Sequence, residues 1–181
     1  MLLAERFIRD GGGVILRLSN VYGPGDESVQ AVAEACQRIL QADPSVPIKV
    51  RQPFKKLVPC YIGDILKSFV RAGQPSRPRS VQPVFTVASQ DHYLREDALL
   101  LTVAACVNDI RGTRLAYDIE TLPPENGTAF AYNLSKMMKH LFQGEERTAF
   151  ASGLREQLLW MMERAAGKPE RPLDLTINFA S

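Results

Sequence analysis

Cysteine is scarce here: Cys36, Cys60 and Cys106 are the only three in 181 residues. An odd, widely spaced set excludes the dense and even framework of a small secreted disulfide scaffold, and a reducing, cytoplasmic setting is expected. Histidine is scarcer still. His92 and His140 stand far apart with no cysteine or carboxylate at ligand spacing, so no metal site is expected. Charge of one sign is not in excess, since 22 Lys+Arg against 20 Asp+Glu leaves a net charge of +2. No basic patch interleaves with aromatics, which argues against a nucleic-acid face. Arg, Lys, Asp or Glu interrupts every apolar run before the roughly 18 residues that a membrane helix needs. The first ten residues carry acidic side chains and lack the basic-then-apolar order of a signal peptide, so neither a membrane partner nor export by that route is expected. A glycine-rich pyrophosphate loop is missing as well: Gly11–Gly13 follows a helical pattern and precedes an extended one, the reverse of the order that cradles a dinucleotide.

What is present is core. Hydrophobic residues make up 45% of the chain, enough for one folded domain of this length. Residues 2–10 read as the end of a helix with Leu2, Leu3, Phe7 and Ile8 on one face, stopped by the glycine triplet. Val14 to Leu18 is an apolar run that fits a buried parallel strand with neighbours on both sides. The segment SNVYGPGD makes a turn ahead of a helix from about Glu27 to Leu40. An extended patch at Ile48 to Val50 precedes a strand, Leu57 to Ile62, weakened by Pro59. A helix then follows with Ile65, Leu66, Phe69 and Val70 on one face, Asp64 as its N-cap and Gly73 as its end. QPSRPRSVQP reads as a surface loop, Val84 to Val87 as a strand, Leu94 to Val107 as a buried helix and Arg114 to Tyr117 as a short strand. Two helices, 133–142 and 147–165, come next. Leu154, Leu158, Met161 and Met162 form the stripe of the second, and LDLTINF is a last extended segment. Cys60 and Cys106 read as small buried hydrophobes. The alternation of strands and helices predicts α/β layering.

The stretch ILRLSNVYGPGD resembles the segment R-x-x-N-V-Y-G-P-G-D of the extended short-chain dehydrogenase/reductases, the NAD-dependent epimerase/dehydratase group. Later pieces fall in that family's order. FKKLVPCYIGDILKSFVRA is similar to its strand and helix with an Asp at the junction, and VFTVASQDHYLREDALLLTVAAC to a further strand and helix. YNLSKMMKHLFQGEERTAFASGLREQLLWM is similar to its closing S-K and G-L-R pattern. The resemblance implies an α/β fold: a partial Rossmann-like parallel sheet (C-terminal strands) plus the small α/β substrate-binding lobe. One compact unit over 1–181 is expected, with 1–45 and 60–90 derived from the Rossmann sheet and 46–59 and 91–181 mainly in the lobe.

The same resemblance implies the C-terminal half of such an enzyme. Glu5 matches the family's Glu four residues after the catalytic lysine, which places Met1 at that lysine's position. The catalytic Tyr and Lys are absent, and no residue of the chain is assigned catalytic. Ser19 and Val21 are implied beside the cofactor, NAD or NADP, which could bind only if a missing N-terminal half completes the site. Asn20, Tyr22, Lys55 and Lys56 are implied on the substrate side. Each has a competing reading: a tight turn for Asn20, packing for Tyr22, structural pairing for Arg17, and a solvated pair for Lys55 and Lys56. Glu125 stands where a positive charge would be expected beside a diphosphate, and LFQGEE has lost the family's Trp and Pro. The substrate is therefore left as a nucleotide sugar or another alcohol or ketone. The expected partners are a small-molecule substrate and either an N-terminal Rossmann half or a second copy of the chain. A non-catalytic remnant acting as a binding or interaction module is the alternative.

Overall fold

The computed structural model describes residues 5, 6, 8, 10–26, 31–51, 56–74, 84–123 and 131–168. Leu2, Leu3, Phe7, Lys55, Glu125, QPSRPRSVQP beyond Gln74 and LDLTINF lie outside them. Residues 5, 6, 8 and 10 are helical, and the glycines end that helix as expected. Gly12 takes the left-handed conformation at φ +78, and the Gly13 N–H bonds back to the Ile8 carbonyl at 2.8 Å. That pattern is a Schellman cap, in which a left-handed residue lets the chain turn back onto orphan carbonyls.

Strand β1 (Ile15–Leu18) pairs in parallel with β4 (Val84–Val87), Ile15 opposite Val84 and Leu18 opposite Val87. Strand β2 (Asn20–Tyr22) pairs in parallel with β3 (Pro59–Tyr61), Asn20 opposite Pro59 and Tyr22 opposite Tyr61. Ser19, between β1 and β2, is the switch: its N–H donates to the Val87 carbonyl at 3.2 Å, and the next N–H, that of Asn20, goes to Val58 at 3.0 Å. One run of chain thus uses β4 below the switch and β3 above it. Pro59 costs β3 little because it opens the strand, where no ladder donor is needed.

Helix α1 (Ala31–Gln41) packs on α3 (Glu96–Arg111), and α3 on α5 (Phe150–Ala165). Between them lies a core of Tyr22, Cys36, Ile39, Leu57, Leu99, Leu100, Val103, Val107, Leu154 and Leu158. A half-buried ion pair, Arg38 to Glu96 at 2.6 Å, ties α1 to α3. A second core gathers Val58, Cys60, Ile65, Phe85, Val87, Met137, Leu141 and Phe142 beneath α2 (Ile62–Ala72) and α4 (Ser135–Met137). Met138–Phe142 continues α4 as a π-helical turn, and Gln143 leaves it at φ 51. Arg71 donates to the carbonyls of Leu141 and Phe142 at 2.7 and 2.9 Å, supplying partners that a helix end otherwise lacks.

Among the described residues β1 pairs with β4 alone, so Val14 to Leu18 has the unpaired edge expected of a sheet strand that lacks one neighbour, and Arg17 and Leu18 are exposed. Four expectations are corrected. Asp64 does not cap a helix at Ile65, because α2 begins at Ile62 and carries Asp64 within its first turn. The buried face of α2 is Asp64, Ile65 and Ser68, with Phe69 55% exposed, because the Asp64 carboxylate accepts hydrogen bonds from Ser89 and Thr148 and holds that face inward. Arg114 to Tyr117 is not a strand; the extended contact forms later, where Ile119 bridges Ile48 in parallel. Cys60 is buried as expected and Cys106 only half-buried.

Candidate functional site

The parallel ladder of β2 and β3 ends at Tyr22 and Tyr61, so the residues after Tyr22 lie at the carboxyl edge of the strands, where open α/β sheets bind ligands. Gly23, Pro24, Gly25 and Asp26 form a turn closed by the Asp26 N–H on the Gly23 carbonyl at 3.1 Å. Pro24 supplies the fixed φ of the second position, and Gly25, at φ +92, the left-handed third position of a type II turn. Gly23 is glycine for two reasons: its φ is +142, and a Cβ there would fall 2.5 Å from Cγ2 of Ile62.

Helix α5 holds this turn from behind. The Gly23 N–H donates to Oε1 of Gln157 at 3.1 Å, and Gln157 is wholly buried. Gly153, one turn earlier, is the notch that lets the helix approach, since a Cβ there would lie 2.7 Å from both the Tyr22 hydroxyl and Cδ2 of Tyr61. Tyr22 is wholly buried, its ring edge-on to Phe150 with centroids 5.3 Å apart and its hydroxyl donating to the Phe150 carbonyl at 3.4 Å. Burial, with the Asp64 charge second, pushes its phenol far above the usual range. Tyr61 donates its hydroxyl to Glu156, which likewise raises its phenol after burial has done so.

Asn20 lies just before the turn, half-buried, with Oδ1 accepting the Val58 N–H at 3.0 Å. Ser19 and Val21 flank it, both half-buried. Behind them burial pushes the Cys60 thiol up to about 12, the Asp64 charge adding to it and the Ser19 and Ser89 hydroxyls opposing it. Asp64 is a buried anchor that the sequence reading placed wrongly. Its carboxylate accepts the Ser89 hydroxyl at 2.5 Å and both the N–H and hydroxyl of Thr148, at 3.2 and 2.9 Å. Ser89 in turn accepts the Tyr61 N–H at 2.7 Å, so one carboxylate joins β3, the end of β4 and the approach to α5.

Lys56 is exposed, with Nζ 4.5 Å from the centre of the Tyr93 ring. It neighbours Leu57, which is buried and bridged to Leu94. Arg17 pairs with Glu5 through two hydrogen bonds of 3.0 and 2.7 Å, tying the first helix to β1. Ser19, Asn20, Val21 and Tyr22 thus run from the switch through the whole of β2 to the turn, whereas Lys56 precedes the amino end of β3 and is not brought to the turn by the ladder. Gln157 was not singled out from the sequence; its only signal there is a glutamine between the apolar Leu154 and Leu158 of a helix. No group of three or more His, Cys, Asp or Glu fit for a metal occurs among the described residues. No helix among them is long and apolar enough to cross a membrane.

No protein-family model and no curated protein matches the sequence. Solved structures do. A dTDP-glucose 4,6-dehydratase of Bacillus anthracis, in complex with NAD, matches with a TM-score of 0.65 and 17% identity over 92% of this chain and 50% of that one. A UDP-glucuronic acid 4-epimerase of Bacillus cereus, in complex with UDP-glucuronic acid and NAD, matches with a TM-score of 0.63 and 18% identity over 90% of this chain and 50% of that one. A UDP-glucose 4-epimerase of Thermus thermophilus, in complex with NAD, gives 0.61 and 20% over 89% and 50%. The chain therefore spans about half the length of the solved structures it matches. Its fold is similar to about half of the fold of these solved epimerases and dehydratases, with short parallel strand pairs and helical layers.

Proposed function

We propose that this chain is the substrate-binding portion of an NAD(P)-dependent epimerase, dehydratase or reductase, that its ligand is a nucleotide sugar, and that Asn20 to Asp26 is where the ligand is met. The observation that carries the reading is the position of that turn, at the carboxyl edge of a parallel strand pair. The solved neighbours, whose names include nucleotide-sugar epimerases and dehydratases, support the substrate class. Asn20 spends its side-chain oxygen on Val58, and its amide N–H groups are the donors assigned to a sugar hydroxyl. Tyr22 shapes the turn from below, and Lys55 and Lys56 are kept as the candidates for the diphosphate, although Lys56 precedes the amino end of β3 and the turn follows the carboxyl end of the ladder. Ser19 and Val21 take the cofactor side.

NAD or NADP would supply the hydride chemistry, with the protein orienting substrate and moving protons. The described residues alone do not fit a dinucleotide. Gly12 and Gly13 serve as a helix cap and cradle no phosphate. Completion requires a glycine-rich Rossmann half, for which the side of β1 without a strand partner among the described residues, with Leu18 41% exposed, is the assigned edge. A second copy of the chain is the other occupant of that edge.

The test is reconstitution. The chain is co-expressed with a glycine-rich half ending in Tyr-x-x-x-Lys from a nucleotide-sugar epimerase, and turnover of UDP-glucose with NAD is followed for each half and for both. Activity of the pair alone supports the reading. Equal turnover by this chain without the second half contradicts it.

A further inference from the structure

Gln157 presents a contradiction in energetic terms. It is wholly buried on α5 between Leu154 and Leu158, yet its side-chain Nε2 has no hydrogen-bond partner among the described residues. Its orientation is set by the Gly23 N–H, a donor that only the side-chain oxygen can accept, while the Gly23 carbonyl is taken by the Asp26 N–H. A buried amide with an unmade bond is a cost, and an apolar side chain of equal volume would fill the site without it. What the glutamine provides instead is one specific constraint. It holds the N–H of a glycine at φ +142, a conformation that no side chain would maintain, across 134 positions of sequence.

We infer that Gln157 is a positioning residue for the ligand, fixing the Gly23 peptide so that the turn from Asn20 to Asp26 is held in its ligand-binding shape before the ligand arrives. The inference rests on the proposed function and adds to it which residue outside the turn sets affinity. Two surrounding features make the constraint stiff. Gly153 lets α5 come close, and the paired hydroxyl contacts of Tyr22 and Tyr61 lock the first two turns of α5 to the same strand ends. Rigid preorganisation of this kind raises affinity by removing an ordering cost at binding.

The test uses the chain itself, isotope-labelled for NMR, with UDP-glucose as probe. Gln157→Met keeps the volume and removes the unpartnered amide but leaves the buried Gly23 N–H without its acceptor, so a lower unfolding midpoint is expected and affinity is compared where both proteins are fully folded. Three results are expected together: faster amide exchange at Gly23, affinity for UDP-glucose weaker by about tenfold, and recovery of most of both in Gln157→Glu, which retains an oxygen. Equal affinity in Gln157→Met and the parent overturns the inference and leaves the proposed function standing. Loss of affinity that merely follows loss of stability across Met, Glu and Asn variants also overturns it. No shift of the Asn20 to Asp26 signals in the parent overturns the proposed function, and the inference with it.

Discussion

Asn20 grips Val58 twice: its backbone N–H donates to the Val58 carbonyl at 3.0 Å, and its side-chain Oδ1 accepts the Val58 N–H at 3.0 Å. This one residue therefore sets the start of the β2–β3 ladder, whose far end, at Tyr22, leads into the turn. Replacing it by alanine leaves a largely buried N–H without its partner, at a cost of about 1 to 3 kcal/mol. Asn20→Asp keeps the acceptor and removes the amide donors. Chemical denaturation should show Asn20→Ala clearly destabilised and Asn20→Asp much less so, while both lose affinity for a nucleotide sugar.

Gly153→Ala should destabilise in spite of alanine's advantage in a helix of about 1 kcal/mol. The new Cβ would meet the Tyr22 hydroxyl and the Tyr61 ring at 2.7 Å, and both rings are held in place by other contacts. Overpacking of that kind costs about 1 to 3 kcal/mol. A lower midpoint in thermal unfolding is expected, and an unchanged or higher one would show that α5 does not seat as described.

Acid should loosen the start of α3. The Arg95 guanidinium, bonding at 3.1 and 2.5 Å, holds the Asp97 carboxyl down to about 2, against its own burial and with help from the Leu122 and Ala98 N–H groups. A depressed carboxylate contributes stability that is complete above its unfolded pKa, about 3.9, and is lost as pH falls through the folded value. The Asp97→Asn variant should therefore differ from the parent at neutral pH and converge with it between about pH 4 and pH 2. Parallel stability curves across that window would remove Asp97 from the account.

Thiol labelling should separate the cysteines. Burial pushes Cys36 up to about 12, aided by Cys106 and Asp26, and Cys60 sits at about 12 as well. Thiolate is the reactive form, and both residues are enclosed. At neutral pH one thiol, the half-buried Cys106, should react slowly with a disulfide reagent, and the other two only after denaturant is added. Three fast thiols in the native protein would contradict the packing.

Local elements were legible where side-chain pattern and packing agree. Val84 to Val87 alternates half-buried and buried positions as a strand should, and Leu154 and Leu158 mark the buried stripe of α5. The helix of Asp64 was misplaced because a carboxylate before an apolar run looks like a cap, whereas its partners, Ser89 and Thr148, lie 25 and 84 residues away. Spacing puts Phe69 in the core, but the hydrogen bonds that the Asp64 carboxylate accepts from Ser89 and Thr148 hold a different face of the helix inward. The turn at Gly23 to Asp26 was readable from its glycines and proline. Its tether, Gln157, was not, since a long-range contact between one amide and one backbone N–H leaves no periodicity.

The chain is proposed to meet a nucleotide sugar at Asn20 to Asp26 and to need a second half for the dinucleotide. The most direct measurement is a pair of titrations on one labelled sample, UDP-glucose and then NAD(H), read residue by residue, with the native mass recorded alongside. Saturable shifts at Asn20, Gly23 and Gly25 with UDP-glucose, and no saturable NAD(H) binding, are the predicted result. Stoichiometric NAD(H) binding by the chain alone, or a UDP-glucose response that leaves those three residues unmoved, would contradict the account.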